Sequence, residues 1–153
     1  MHSRLAAFKI SRRSVTVAVF SGRTLEYIDT QHLSVLPKIA LEGIQRFLGW
    51  IIENFQPEMA ALGFEEDEPD QRVRAQMLTE SAEQYLLQRG IPIWKVSDKE
   101  LLNAYAVPAV PDKHELRQIA RSMWPYLGSQ HLPALDAASI GLYVQTERLL
   151  ANH

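Results

Sequence analysis

Residues that could do acid, metal or phosphate chemistry are concentrated in two stretches. Five carboxylates stand in EEDEPD at 65–70 (Glu65, Glu66, Asp67, Glu68 and Asp70). Five cations, Arg4, Lys9, Arg12, Arg13 and Arg23, cluster around the first hairpin of the chain. Carboxylate oxygens are what hard divalent cations take, so Glu65 or Glu66 together with Asp136 are candidates for holding one. The plainer reading of the acidic run is a solvated loop that places negative charge near the N-terminus of the following helix. Arginines at a hairpin end can track a phosphate backbone, which makes Arg12, Arg13 and Arg23 candidates for nucleic-acid binding. Trp94 and Trp124 could stack on bases, although a strand position and a helix end fit core roles better. The five histidines (His2, His32, His114, His131 and His153) contain no pair at one-turn spacing, so their pattern does not indicate zinc. Cysteine is absent, which removes thiolate chemistry and disulfides. Ser14 and Ser139 have no histidine at a spacing that suggests a nucleophile.

The elements that must position these groups belong to a chain of 153 residues, expected to form one domain over 1–153. A 46% apolar and 22% charged composition is that of a globular protein. A formal charge of −2 means that any basic binding face is local and balanced elsewhere. No apolar run reaches the length of a membrane span, and the N-terminus lacks the pattern of a secretory signal. A soluble, cytoplasmic protein without a cofactor is the resulting expectation.

Two runs, 5–10 and 15–20, read as strands around the polar turn Ser11-Arg12-Arg13-Ser14, and 24–33 reads as a third strand after a turn at Gly22. Turns this short allow only an antiparallel meander. Pro37 opens a helix over 37–55 with Ile39, Ile44, Phe47, Leu48, Ile51 and Phe55 at helical spacing. MAALGF at 59–64 is a continuous apolar run, the mark of a strand covered on both faces. A second helix over about 70–89 places Val73, Met77, Tyr85 and Leu86 inward and closes on Gly90. A fifth strand covers 91–96. Capping boxes at 97–100 and 112–115 start two further helices, and a last helix begins near Ala134 or Asp136. The order βββαβαβ followed by helices predicts an α/β, mixed five-stranded sheet with helices on both faces.

This order is that of the ribonuclease H-like fold, and four stretches resemble the RuvC-type Holliday junction resolvases. LDAASIGLYV at 135–144 is similar to the family's helix in which two aspartates one turn apart bind divalent metal. LLNAYAVPAVPDKHEL at 101–116 follows the segment leading into the family's penultimate helix, keeping Ala104, Asp112 and Lys113. LAAFKISRRSVTVAVF at 5–20 resembles the strand-turn-strand opening that carries a metal-binding aspartate. PEMAALGF at 57–64 resembles the strand that ends in a catalytic glutamate. By this resemblance Lys113 joins the nucleic-acid-binding candidates, branched DNA is the implied ligand and a homodimer the implied assembly.

The chemistry departs from the family. Its first aspartate falls on Lys9, its glutamate on Gly63 and its last aspartate on Ser139, so only Asp136 survives. Two-metal hydrolysis needs several carboxylates holding cations about 4 Å apart, and one carboxylate beside an ammonium cannot supply them. The glycine- and arginine-bearing segment that approaches DNA in the family reads Val107-Pro108-Ala109-Val110 here. The vestigial site is thus Lys9, Gly63, Asp136 and Ser139. Two readings of Lys9 stay open: an ammonium paired with Asp136, or a strand-end lysine reaching into solvent. Asp136 is either that partner or a cap on the first turn of the last helix. Three functions follow. The first is a non-hydrolytic domain that binds structured nucleic acid or acts as a dimeric scaffold. The second is a protein-interaction module. The third, which Lys9 and Gly63 oppose, is a nuclease with relocated carboxylates.

Overall fold

The computed structural model describes residues 4–22, 24–64, 69–97 and 132–151. The elements are β1 (Arg4–Ile10), β2 (Ser14–Ser21), β3 (Thr24–His32), α1 (Pro37–Phe55), β4 (Met59–Phe64), α2 (Pro69–Gln88), β5 (Ile93–Ser97) and α3 (Leu132–Ala151). One sheet holds all five strands in the order β3-β2-β1-β4-β5. The first three form the expected antiparallel meander, and β4 and β5 add in parallel on the far side of β1.

Short-range chemistry makes the two turns. The Ser11 amide donates to the Ser14 carbonyl at 2.9 Å and the two hydroxyls lie 2.8 Å apart, closing the basic turn. Gly22 takes a φ of +58° in the second turn, which glycine adopts without steric cost. A strand covered on both faces sends alternate side chains into two cores. Ala6, Phe8 and Ile10 of β1 pack with Val15, Val17 and Val19 of β2, Ala60 and Leu62 of β4, and the inner stripes of α1 and α2. Leu5 and Ala7 pack with Ala18, Phe20, Ala61 and Val96 against α3.

Several boundaries and faces differ from the sequence-based expectation. Helix α1 covers Pro37–Phe55 as expected, and its cap is Gln56, left-handed at φ +48°, whose amide donates to the Ile52 carbonyl. Pro57 follows that cap. The fifth strand starts at Ile93, because Pro92 has no amide to give a ladder; its carbonyl accepts from Ala60 at 3.0 Å. Ile39 and Val73 are exposed, at 45% and 73%. Each sits one position off the buried stripe: Ala40 takes the inward place in α1, and counting one turn back from Leu78 in α2 gives Arg74. Ser97 ends β5 and is buried, while the remainder of its expected capping box and the box at 112–115 lie outside the described residues. No helix among the described residues is long and apolar enough to cross a membrane.

Candidate functional site

The register that buries both faces also decides where Lys9 goes. It pairs with Thr16 on one side and Gly63 on the other, so the three share a face, and that face is the one α3 covers. Continuing the row outward, the Thr16 hydroxyl lies 2.9 Å from that of Thr30, and Gly63 pairs with Val96. Thr16 is fully buried, and Lys9 is only 5% exposed. This excludes a lysine that reaches from a strand end into bulk water. A buried ammonium requires polar or anionic surroundings, because desolvation otherwise drives it to lose its proton.

Helix α3 lies over this row. Asp136 and Ser139 are both buried, at 9% and 2%. Asp136 is the fifth residue of α3, inside the helix rather than at its cap, and no acidic residue occupies the first turn. The capping reading is therefore corrected. Pro133 falls in the first turn, where its missing amide costs nothing, and this lets the helix begin at Leu132. Lys9 and Asp136 are thus buried on elements that face one another across this layer.

The space above Gly63 is already taken. A Cβ built there would lie 2.3 Å from Cδ1 and 3.2 Å from Cγ1 of Ile140, with Cδ of Lys9 at 3.6 Å. Any side chain at 63 must first displace the Ile140 methyl. A divalent cation does not fit these described residues: Asp136 is the one carboxylate among them, a lysine is buried in the same layer, and Ile140 fills the space over Gly63. Among the described residues no three histidine, aspartate, glutamate or cysteine side chains come together to hold a metal ion.

The five cations of the first hairpin do not form one patch. Arg4, at the opposite end of β1 from the turn, pairs with Glu26 at 3.0 Å and donates to the Phe55 carbonyl. Lys9 is buried, which leaves Arg12 and Arg13 exposed on the β1–β2 turn. Arg23, Lys113, Glu65 and Glu66 lie outside the described residues. Sequence reasoning missed Arg74, which donates to the carbonyls of Arg12 at 2.7 Å, Val35 at 3.0 Å and Ser34. Its phase on the α2 stripe was the available signal. It also missed Ile140, for which a single sequence carries no signal, since the clash depends on how α3 docks.

No protein-family model matches the chain, and no curated protein matches it. Solved structures do. Thermus thermophilus RuvC in complex with a Holliday junction substrate superposes with a TM-score of 0.75 at 16% identity, over 97% of this chain and 96% of the other. The Thermus thermophilus RuvC structure gives 0.71 at 16% identity, over 95% and 96%. The yeast mitochondrial Holliday junction resolvase Ydc2 gives 0.67 at 13% identity, over 90% and 75%. The chain has the ribonuclease H-like fold that these resolvases share.

Proposed function

We propose that this chain is a catalytically degenerate RuvC-like domain that binds branched nucleic acid without hydrolysing it. The observation that carries the reading is the pair Lys9 and Gly63. They stand side by side on adjacent parallel strands, where the resemblance puts an aspartate and a glutamate, and Ile140 fills the room above Gly63. The fold supports the ligand class through its likeness to a RuvC bound to a junction. The missing carboxylates support binding without cleavage. Within this reading the Lys9 ammonium takes the place of a metal and pairs with Asp136.

The test is fluorescence anisotropy of a labelled four-way junction beside plain duplex, with magnesium present and salt titrated, followed by a denaturing gel of the same samples. Preference for the junction, falling with salt, and uncut strands are expected. Cleavage would overturn the degenerate reading. Absence of binding at low salt would replace it with the protein-interaction module.

The domain acts as a homodimer in this reading, and helix α1 supplies the supporting pattern. Glu42, Arg46, Trp50 and Glu53 recur along one exposed stripe, and Trp50 is 45% exposed on an aromatic cluster with Tyr27 and Phe55. Two copies of α1 crossing antiparallel near Trp50 place Arg46 of each copy opposite Glu53 of the other, the self-complementarity a two-fold interface needs. Sedimentation at tens of micromolar is expected to give a dimer for the wild type and a monomer for Arg46→Glu. Restoration by Arg46→Glu with Glu53→Arg would identify the pair, and a wild-type monomer would remove it.

A further inference from the structure

Arg74 occupies a place on α2 where the helical phase of Leu78, Ala82 and Leu86 calls for an apolar side chain. Its guanidinium instead donates through Nε to the Arg12 carbonyl at 2.7 Å, through Nη1 to the Val35 carbonyl at 3.0 Å and through Nη2 to the Ser34 carbonyl. Arg12 belongs to the β1–β2 turn, whereas Ser34 and Val35 belong to the β3–α1 loop. One side chain therefore joins two loops that are remote in sequence. The loops also touch directly, the Leu33 amide donating to the Arg13 carbonyl at 2.8 Å. Strands β1 and β3 run in the same direction, since each is antiparallel to β2, so both loops lie at one end of the sheet. Lys9 is next to last in β1, at that same end. Once joined, the turn presents Arg12 and Arg13 to solvent, and the first turn of α1, which continues from the second loop, presents Lys38.

A guanidinium suits this task because its donors are spread over three nitrogens in a fixed plane and reach carbonyls several ångströms apart on two segments, whereas an ammonium gathers its three donors on one nitrogen. Bonds from a charged donor are also stronger than neutral ones. We infer that Arg74 is a positioning residue: it locks the basic turn and the β3–α1 loop into one platform whose cations Arg12, Arg13 and Lys38 receive the phosphates of a bound nucleic acid. The inference rests on the nucleic-acid reading above and adds which surface does the binding and what holds it in shape. Pre-ordering a binding loop raises affinity by removing the cost of ordering it in the complex.

Two measurements on the full chain separate the holding from the binding. Amide hydrogen exchange without DNA compares the wild type with Arg74→Ala and Arg74→Gln, the second keeping the aliphatic stem and a polar amide in case the first fails to fold. Exchange at Ser11 and Leu33, whose amides close the turn and join the loops, is expected to speed up about tenfold while the sheet core stays protected. Unchanged exchange in a folded variant would overturn the positioning role. Anisotropy with a labelled four-way junction then follows affinity against salt. Arg74→Gln is expected to weaken binding roughly fivefold with an unchanged salt slope, because no phosphate contact is lost, only its ordering. Arg12→Ala with Arg13→Ala is expected to reduce the slope by about 1.8, at about 0.9 for each phosphate contact. A slope reduced by Arg74→Gln itself would make Arg74 a phosphate ligand and overturn the proposal. A wild type that binds neither junction nor duplex would overturn the platform's ligand together with the nucleic-acid reading, and the exchange result would still decide whether Arg74 holds the loops.

Discussion

The two faces of the sheet are built from the same strands on opposite principles. Under α1 and α2, the buried inward positions of β1, β2 and β4 are all aliphatic or aromatic, and the layer closes with Phe8, Ile44, Leu48, Ile51 and Leu62 almost completely buried. Under α3, the layer begins the same way, with Leu5, Ala7, Ala18 and Ala61, and then turns polar at one end, where Lys9, Thr16, Asp136 and Ser139 are buried. An apolar layer is stabilised by area and fit alone. A polar one holds together only if its groups satisfy one another, since a buried charge or hydroxyl without a partner costs more than a missing methyl group. The first face makes the domain fold. The second buries a lysine and an aspartate between sheet and helix, in a fold shared with junction resolvases.

This contrast can be broken experimentally. On the apolar face, truncation is expected to cost most: Phe8→Ala should lower the unfolding free energy by about 4 kcal/mol, read from urea denaturation, because the ring is fully buried and the sheet cannot collapse around the void. On the polar face the response should be non-additive. Lys9→Met and Asp136→Leu, each leaving a buried group without its counterpart, should each cost about 3 kcal/mol, whereas the double variant should approach wild-type stability. Additive losses would dissolve the proposed pair. An intermediate effect is expected where Gly141 of α3 packs on the sheet. A Cβ at Gly141 would lie 2.1 to 2.8 Å from three atoms of the buried Phe20 ring. Gly141→Ala should therefore lose about 2 kcal/mol of stability through overpacking, in spite of alanine's better helix propensity.

The smallest effect belongs to the rim of the apolar face. The Tyr27 hydroxyl is pushed above its ordinary value of 10.0 by burial first, then by its hydrogen bond to Asp29 and by that residue's negative charge. A raised value means that the folded state holds its proton more tightly than the unfolded state does. The associated stability is complete below about pH 10 and is lost as pH rises through the folded-state value. Alkaline titration of Tyr27 absorbance should shift downward in Asp29→Asn, and the loss of stability above pH 10 should diminish in Tyr27→Phe. Identical profiles would refute the assignment.

Much of this was open to reading in one dimension. The alternation of β1 and β2, the apolar run of β4, Pro37 at the head of α1 and Gly90 after α2 are local signals, and each describes the residue's own backbone or its neighbours along the chain. They suffice for the meander and the two crossovers, hence for the mixed sheet. Phase was harder to read than period: Ile39 and Val73 satisfy an apolar count but sit one residue off the inward stripe, and the burial of Ala40 and Leu78 shows the offset. The candidate site divides the same way. Lys9, Gly63, Asp136 and Ser139 could be named from the sequence through a resemblance, yet whether Lys9 reaches water or lies under a helix could not.

The amino-acid sequence by itself determined the order and type of the elements, because strand alternation, helical spacing and turn residues act over a few neighbouring positions. Tertiary structure alone decided the burial of Lys9, the placing of Asp136 on a covering helix, the filling of the space over Gly63 by Ile140 and the reach of Arg74 to two loops. Each depends on how elements distant in the chain dock on a common sheet, and docking is fixed by the fit of whole faces, which no local spacing encodes.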